Sequence, residues 1–169
     1  ENSGYIVWLN KPEIHALEFI STLPKDAVLA GWPGPINDNV PYFARRRVLV
    51  THETHAATHV DYVLKMRERM NAIVDAYLAT DPEAILALRD QHEVDYLILD
   101  AKDFEGTAPP LYFEPFSTRT HKRWKEAQGR FYTPRLAKTA AAYAQDGIYV
   151  IDLKKLPPRS SKSKGGWQE

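Results

Sequence analysis

The chain has 169 residues, with 22 Lys and Arg against 22 Asp and Glu and a formal charge of zero with His neutral. Without a basic surplus it lacks the counterion-release drive of a nucleic-acid binder, and nucleic acid is not an expected partner. Hydrophobic residues at 44%, charged residues at 26% and no Cys exclude a disordered chain, a disulfide framework, a thiolate metal site and a cysteine nucleophile.

Residues 1–11 read as an N-terminal stub. Tyr5-Ile6-Val7-Trp8-Leu9 is short and apolar; from its residues alone an edge strand is favoured over an interfacial segment beside a membrane. No apolar run approaches the ~18 residues that cross a bilayer. A single domain is expected over residues 12–156. Pro12 suits a first helical turn, and Ile14, Leu17, Ile20 and Leu23 make one apolar stripe up to Pro24. Ala27 to Trp32 reads as a buried strand, and the turn formers from Pro33 to Asn39 as a loop. Arg45-Arg46-Arg47 leads into a strand from Val48 to Thr51.

Thr58 to Thr80 carries apolar residues three and four apart and predicts a long helix, with Thr54 or Thr58 as cap. Asp81-Pro82-Glu83 starts another helix that ends near His92. Val94 to Asp100, apolar on both faces, is the clearest strand. Ala101 to Tyr132 is a long connection with little periodicity, functional or partly helical. Thr133-Pro134 opens a helix predicted to run to Gly147, and Ile148 to Leu153 is the last strand. Residues 157–169 are polar, basic and aperiodic, and are expected to be a disordered tail. Helices alternating with apolar strands predict an α/β fold: a three-layer, Rossmann-like domain whose small, mainly parallel sheet has about four strands.

Two groups could carry chemistry. His52, His55 and His59 would share one face of a helix at zinc-ligand spacing, but His-Glu-x-x-His is absent and the segment leaves a strand. Ordinary structural or exposed histidines are therefore preferred, and no metal is assigned. A joint charging of the three near pH ~6, giving a pH-responsive interaction module, is a weaker reading. Asn37 and Asp38 follow the first strand, where open α/β sheets bind ligands, and Arg45, Arg46, His52 and Glu53 flank the second. Arginines there could clamp a phosphate in a fork, with Asp38 ordering one of them. The plainer reading of the arginines is a solvated charge run that protects a sheet edge, with Arg45 or Arg46 paired to Glu53.

Gly31-Trp32-Pro33-Gly34-Pro35 lacks the Lys-Ser/Thr of a phosphate loop, and no nucleophile elbow is present. Asp100, Asp103 and Glu105 end the central strand, where either turn formation or catalysis would use them; turn formation is favoured. Tyr112, Phe113, Phe116, Trp124, Phe131 and Tyr132 either line a sugar-stacking groove or anchor the connection, and anchoring is favoured.

Leu23-Pro24-Lys25-Asp26-Ala27-Val28-Leu29-Ala30-Gly31-Trp32, Asp38-Asn39-Val40-Pro41-Tyr42-Phe43-Ala44-Arg45-Arg46 and Val94-Asp95-Tyr96-Leu97-Ile98-Leu99-Asp100 frame strands in a recognisable way. The chain resembles the C-terminal extracytoplasmic domain of polytopic bacterial membrane proteins similar to C-type, mannosyltransferase-like glycosyltransferases. The resemblance covers Pro12 to Asp100 and Ile148 to Leu153. It implies a non-catalytic domain on the periplasmic or outer face that guides substrate or docks protein, with Tyr5 to Leu9 near the last membrane helix. Its partners would be the membrane-embedded remainder of the parent protein and a lipid-linked sugar or glycan. In that family the catalytic acids lie on loops between membrane helices, so no catalytic residue and no cofactor is assigned. The alternative is a freestanding sugar-, nucleotide- or metal-binding enzyme that uses Asp38, Arg45, His52 and Glu53.

Overall fold

The computed structural model describes residues 9–52, 59–106 and 116–159. Helix α1 (Lys11–Thr22) starts with a reciprocal cap: the Asn10 side chain accepts the Glu13 N–H at 3.0 Å, and the Glu13 carboxylate accepts the Asn10 N–H at 2.8 Å. Its buried stripe is Ala16, Leu17 and Ile20. Strand β1 (Val28–Gly31) follows, then the short helix α2 (Pro35–Asn39), a wide helical turn (Val40–Ala44) and a brief strand β2 (Arg47–Val48). Helices α3 (Val60–Tyr77) and α4 (Glu83–His92) lead to β3 (Tyr96–Asp100) and a single 3₁₀ turn (Ala101–Phe104). Helices α5 (Phe116–Ala127) and α6 (Thr133–Ala140) and the hairpin β4 (Ala141–Gln145) and β5 (Ile148–Asp152) complete the order.

The five strands lie in the order β2-β1-β3-β5-β4. β1 pairs in parallel with β2 and β3, whereas β5 runs antiparallel to both β3 and β4. Alternate residues of the central strands serve different clusters. Ala30, Leu97, Leu99 and Ile151 join Met70, Ile73, Leu88 and Leu136 on one face. Leu29, Tyr96, Ile98 and Val150 join Leu17, Ile20 and Val40 on the other. Both faces of the sheet are thus buried, which explains why β3 is apolar at successive positions.

The sheet corrects the expectation of about four mainly parallel strands: among the described residues it has five and is mixed. Residues Ala141 to Gln145 form a strand, not the end of a helix. The turn after them decides this. Asp146 and Gly147 both adopt positive φ, 53° and 83°, which is the two-residue hairpin geometry that Asp-Gly favours. Gly147 therefore turns a hairpin and does not stop a helix, and Tyr143 stacks on Phe19 at 5.1 Å from the paired strand. The hairpin also makes β5 return antiparallel to β3. A second correction concerns the segment from Pro33 to Asn39. Pro35 occupies a first helical turn and α2 forms there, because proline pre-sets the helical φ.

Two sequence boundaries lie only partly in view. The stub up to Trp8 and the tail from Ser160 fall outside the described residues, as do Thr54 and Thr58; His59 holds the cap position of α3. Among the described residues no helix is long and apolar enough to cross a membrane.

Candidate functional site

At the carboxyl ends of β1 and β3 the chain encloses a cavity of about 280 Å³. This is where sheets of this kind receive ligands. Two of its lining residues, Asn37 and Ile98, close on Gly31 at the end of β1. A Cβ there would lie 3.0 Å from the Ile98 Cβ and 3.1 Å from the Asn37 Oδ1, so only glycine leaves both where they are. Asn37, 1% exposed on α2, donates from Nδ2 to the Val50 carbonyl at 2.7 Å. Its Oδ1 is buried and has no hydrogen-bond partner. Such an acceptor costs roughly 1–3 kcal/mol to leave unpaired.

The opposite wall grows from the end of β3. Asp100 accepts the Lys102 N–H at 3.0 Å and so starts the 3₁₀ turn. The turn carries Asp103 back to α3, where the Tyr77 hydroxyl donates to Asp103 Oδ2 at 2.6 Å and accepts the Asp100 N–H at 3.1 Å. Burial pushes the Asp103 carboxyl up to about 6, against the opposing pull of the Tyr77 bond. Burial first, and the Asp103 charge second, hold the Tyr77 phenol well above its ordinary range. Tyr77 is thus a fixed neutral donor, and Asp103 changes charge in mildly acidic solution. Trp32, Pro33, Pro35 and Ile36 supply apolar wall, and Glu13 and His52 reach the rim.

Of the residues singled out from sequence, the fold brings Asp38 and His52 together. Asp38 accepts the His52 backbone N–H at 3.1 Å and also contacts His52 Nδ1. His52 is a cavity-lining residue. Arg45 and Arg46 stand elsewhere, just before β2 at the amino end of the sheet. Arg45 takes a left-handed backbone, φ 53°. The Arg46 guanidinium donates to the carbonyls of Ser21, Leu23, Ala44 and Arg45, closing the carboxyl end of α1. A fork of Arg46 and Asp38 around one phosphate is not formed: Arg46 is spent on carbonyls at the end of α1, and Asp38 on His52. Glu53 and His55 lie outside the described residues. Among the described residues no three His, Asp or Glu side chains converge as metal ligands would.

Phe116 and Trp124 are buried in the core, with Phe131 and Tyr132 packed against them. Trp124 and Phe131 sit 4.7 Å apart, Phe131 meets Phe104 at 5.1 Å and Phe104 stacks on Tyr77 at 5.2 Å. These rings buttress Tyr77 and anchor the connection, while Trp32 supplies the aromatic wall of the cavity. Tyr112 and Phe113 are outside the described residues. Sequence reasoning passed over Tyr77 and Glu13. Tyr77 reads as one more core residue of a helical stripe; the only hint was that a buried phenol needs a polar partner.

No family profile and no curated protein matches the sequence. In solved structures the fold is similar to the C-terminal globular domain of oligosaccharyltransferase from Archaeoglobus fulgidus. The TM-score is 0.53 at 11% identity, over 86% of this chain and 98% of that one. At that identity the likeness concerns the fold: an α/β domain with helices about one mixed sheet.

Proposed function

We propose that the chain is a non-catalytic, extracytoplasmic domain of a larger integral membrane glycosyltransferase of the C type, with a three-layer, Rossmann-like core. In this reading the cavity at the carboxyl ends of β1 and β3 faces the membrane-embedded remainder of the parent protein. The domain guides a lipid-linked sugar or glycan, or docks a protein, on the periplasmic or outer side. The observation that carries it is the fold likeness, because it spans nearly the whole of both chains and the neighbour is itself a domain of an oligosaccharyltransferase. The strand-framing phrases from Leu23 to Trp32 and from Val94 to Asp100 support the same class independently.

The test is the reading frame upstream of Glu1, followed by topology reporters fused before residue 9 and after residue 159. Several membrane spans, with both reporters on the outer face, are expected. A start codon directly before Glu1, or cytoplasmic reporters, would overturn the proposal.

The contact between Asp38 and His52 at the cavity rim favours one second reading, a freestanding sugar- or nucleotide-binding enzyme. A thermal-shift panel of nucleotide sugars with and without divalent metal tests it. A flat response removes it.

A further inference from the structure

The cavity has an unusual polar inventory. Asn37 lines it, with Oδ1 itself sealed from solvent. Asp100 gives one carboxylate oxygen to the Lys102 N–H, Asp103 one to Tyr77, and Glu13 one to the Asn10 N–H. The remaining oxygens of those three carboxylates are acceptors as well. Among the described residues neither Lys nor Arg lines the cavity, and the basic ring of His52 is engaged by Asp38. The side-chain oxygens offered to a ligand therefore accept hydrogen bonds. An anionic phosphate meets three carboxylates that repel it and, among the described residues, no Lys or Arg to hold it.

The walls add a second constraint. Trp32, Pro33, Pro35, Ile36, Tyr77 and Ile98 are apolar or aromatic. A bare cation would meet mainly the carboxylates, and a polyamine offers a thin methylene chain in place of a flat face, whereas a sugar ring presents hydroxyl donors at its edge and C–H groups on its face. A volume of about 280 Å³ lies at the small end of ligand pockets, near the size of one sugar ring.

We infer that this cavity binds a single uncharged pyranose unit, with ring hydroxyls donating to Asp100 and Asp103 and the ring face against Trp32. The site takes the neutral glycan end of a donor or acceptor and excludes its phosphate. This deepens the proposed function and rests on it only for the origin of the sugar.

The experiment is a ¹H–¹⁵N titration of the 169-residue chain with methyl α-mannopyranoside, methyl β-glucopyranoside and N-acetylglucosamine, and separately with inorganic phosphate and spermidine. At least one neutral sugar should shift the Trp32 indole and Gly34 amide with a Kd of about 1–10 mM. Phosphate and spermidine should leave them unmoved at about ten times that concentration. Asp103→Asn should weaken the sugar about fivefold, because its amide keeps the Tyr77 bond and turns an N–H donor into the cavity. Asp100→Asn keeps an oxygen for the Lys102 N–H, should weaken the sugar by a similar factor, and decides the question if Asp103→Asn unfolds.

Silence from all three sugars, unchanged affinity in Asp103→Asn, or shifts of the same amides by phosphate or spermidine would each overturn the inference. Silence together with membrane spans upstream defeats the inference and leaves the proposed function standing. Sugar binding by a chain whose reading frame has no spans does the reverse.

Discussion

The two ends of the sheet treat their polar residues in opposite ways. At the amino end, charge is spent on backbone and on ion pairs. Arg46 holds the carbonyls of Ser21 and Leu23, Arg47 reaches the Asp26 carbonyl, and Asp95 accepts the Val28 N–H at 2.9 Å while pairing with Lys154 at 2.9 Å. At the carboxyl end, Asn37 Oδ1 is left unpaired and Asp103 is held in a site that raises its proton affinity. Satisfied groups stabilise a fold, whereas unsatisfied ones are a cost that a ligand can relieve. The amino end thus spends its charges on the fold, and the carboxyl end holds the cavity on which the proposed function rests.

Substitutions at each end separate these roles, and the largest effect belongs to the structural end. Arg46→Ala removes a charged donor from four carbonyls and should destabilise the chain by about 2–3 kcal/mol in urea unfolding, with sugar affinity unchanged. Gly31→Ala crowds two cavity-lining residues from within β1. Its methyl meets Ile98 and Asn37 at 3.0 and 3.1 Å, and overpacking of that kind should cost about 1–2 kcal/mol. It should also reduce ligand binding, because Asn37 and Ile98 have to give way; a variant as stable as the parent would contradict that close packing.

Asp103→Asn runs in the other direction. A carboxyl raised to about 6 in the folded state, against about 3.9 unfolded, favours folding fully only below the unfolded value, and that contribution is lost as pH rises through the folded one. The parent should therefore lose about 2 kcal/mol between pH ~4 and pH ~6.5 from this group. The variant should lack that part of the slope and be about 1 kcal/mol more stable near pH ~7.5. Equal slopes in thermal scans across that range would contradict the burial of Asp103. The smallest effect is His52→Ala. The ring is 47% exposed, so its loss should change stability by less than about 0.5 kcal/mol and leave the Asp103-dependent slope intact.

How far the sequence foretold this division depends on the residue. The apolar runs of β1, β3 and β5 and the stripes of α1 and α3 are local signals and match the elements found. β4 was hidden because Ala140 to Ala144 carries no pattern of its own; pairing with β5 overrides its helical preference. The Asp146-Gly147 turn was the available sign. At the cavity, Asn37 and Asp38 were legible as residues after a first strand, and His52 joined them. For Arg45 and Arg46 the triple arginine shows its charge in sequence but not its partners, and those of Arg46 include carbonyls more than twenty residues upstream. Tyr77 and Asp103, 26 positions apart, meet only through the packing of α3 on the sheet. No spacing rule reaches that far.

The most direct test of the carboxyl-end cavity is where a bound ring sits. Intermolecular NOEs in the methyl glycoside complex should link the sugar C–H protons to the Trp32 indole and to Ile98, beside Asp103. Contacts instead to Arg47, Arg69 or His92 around the amino-end groove would contradict the division of labour between the two ends.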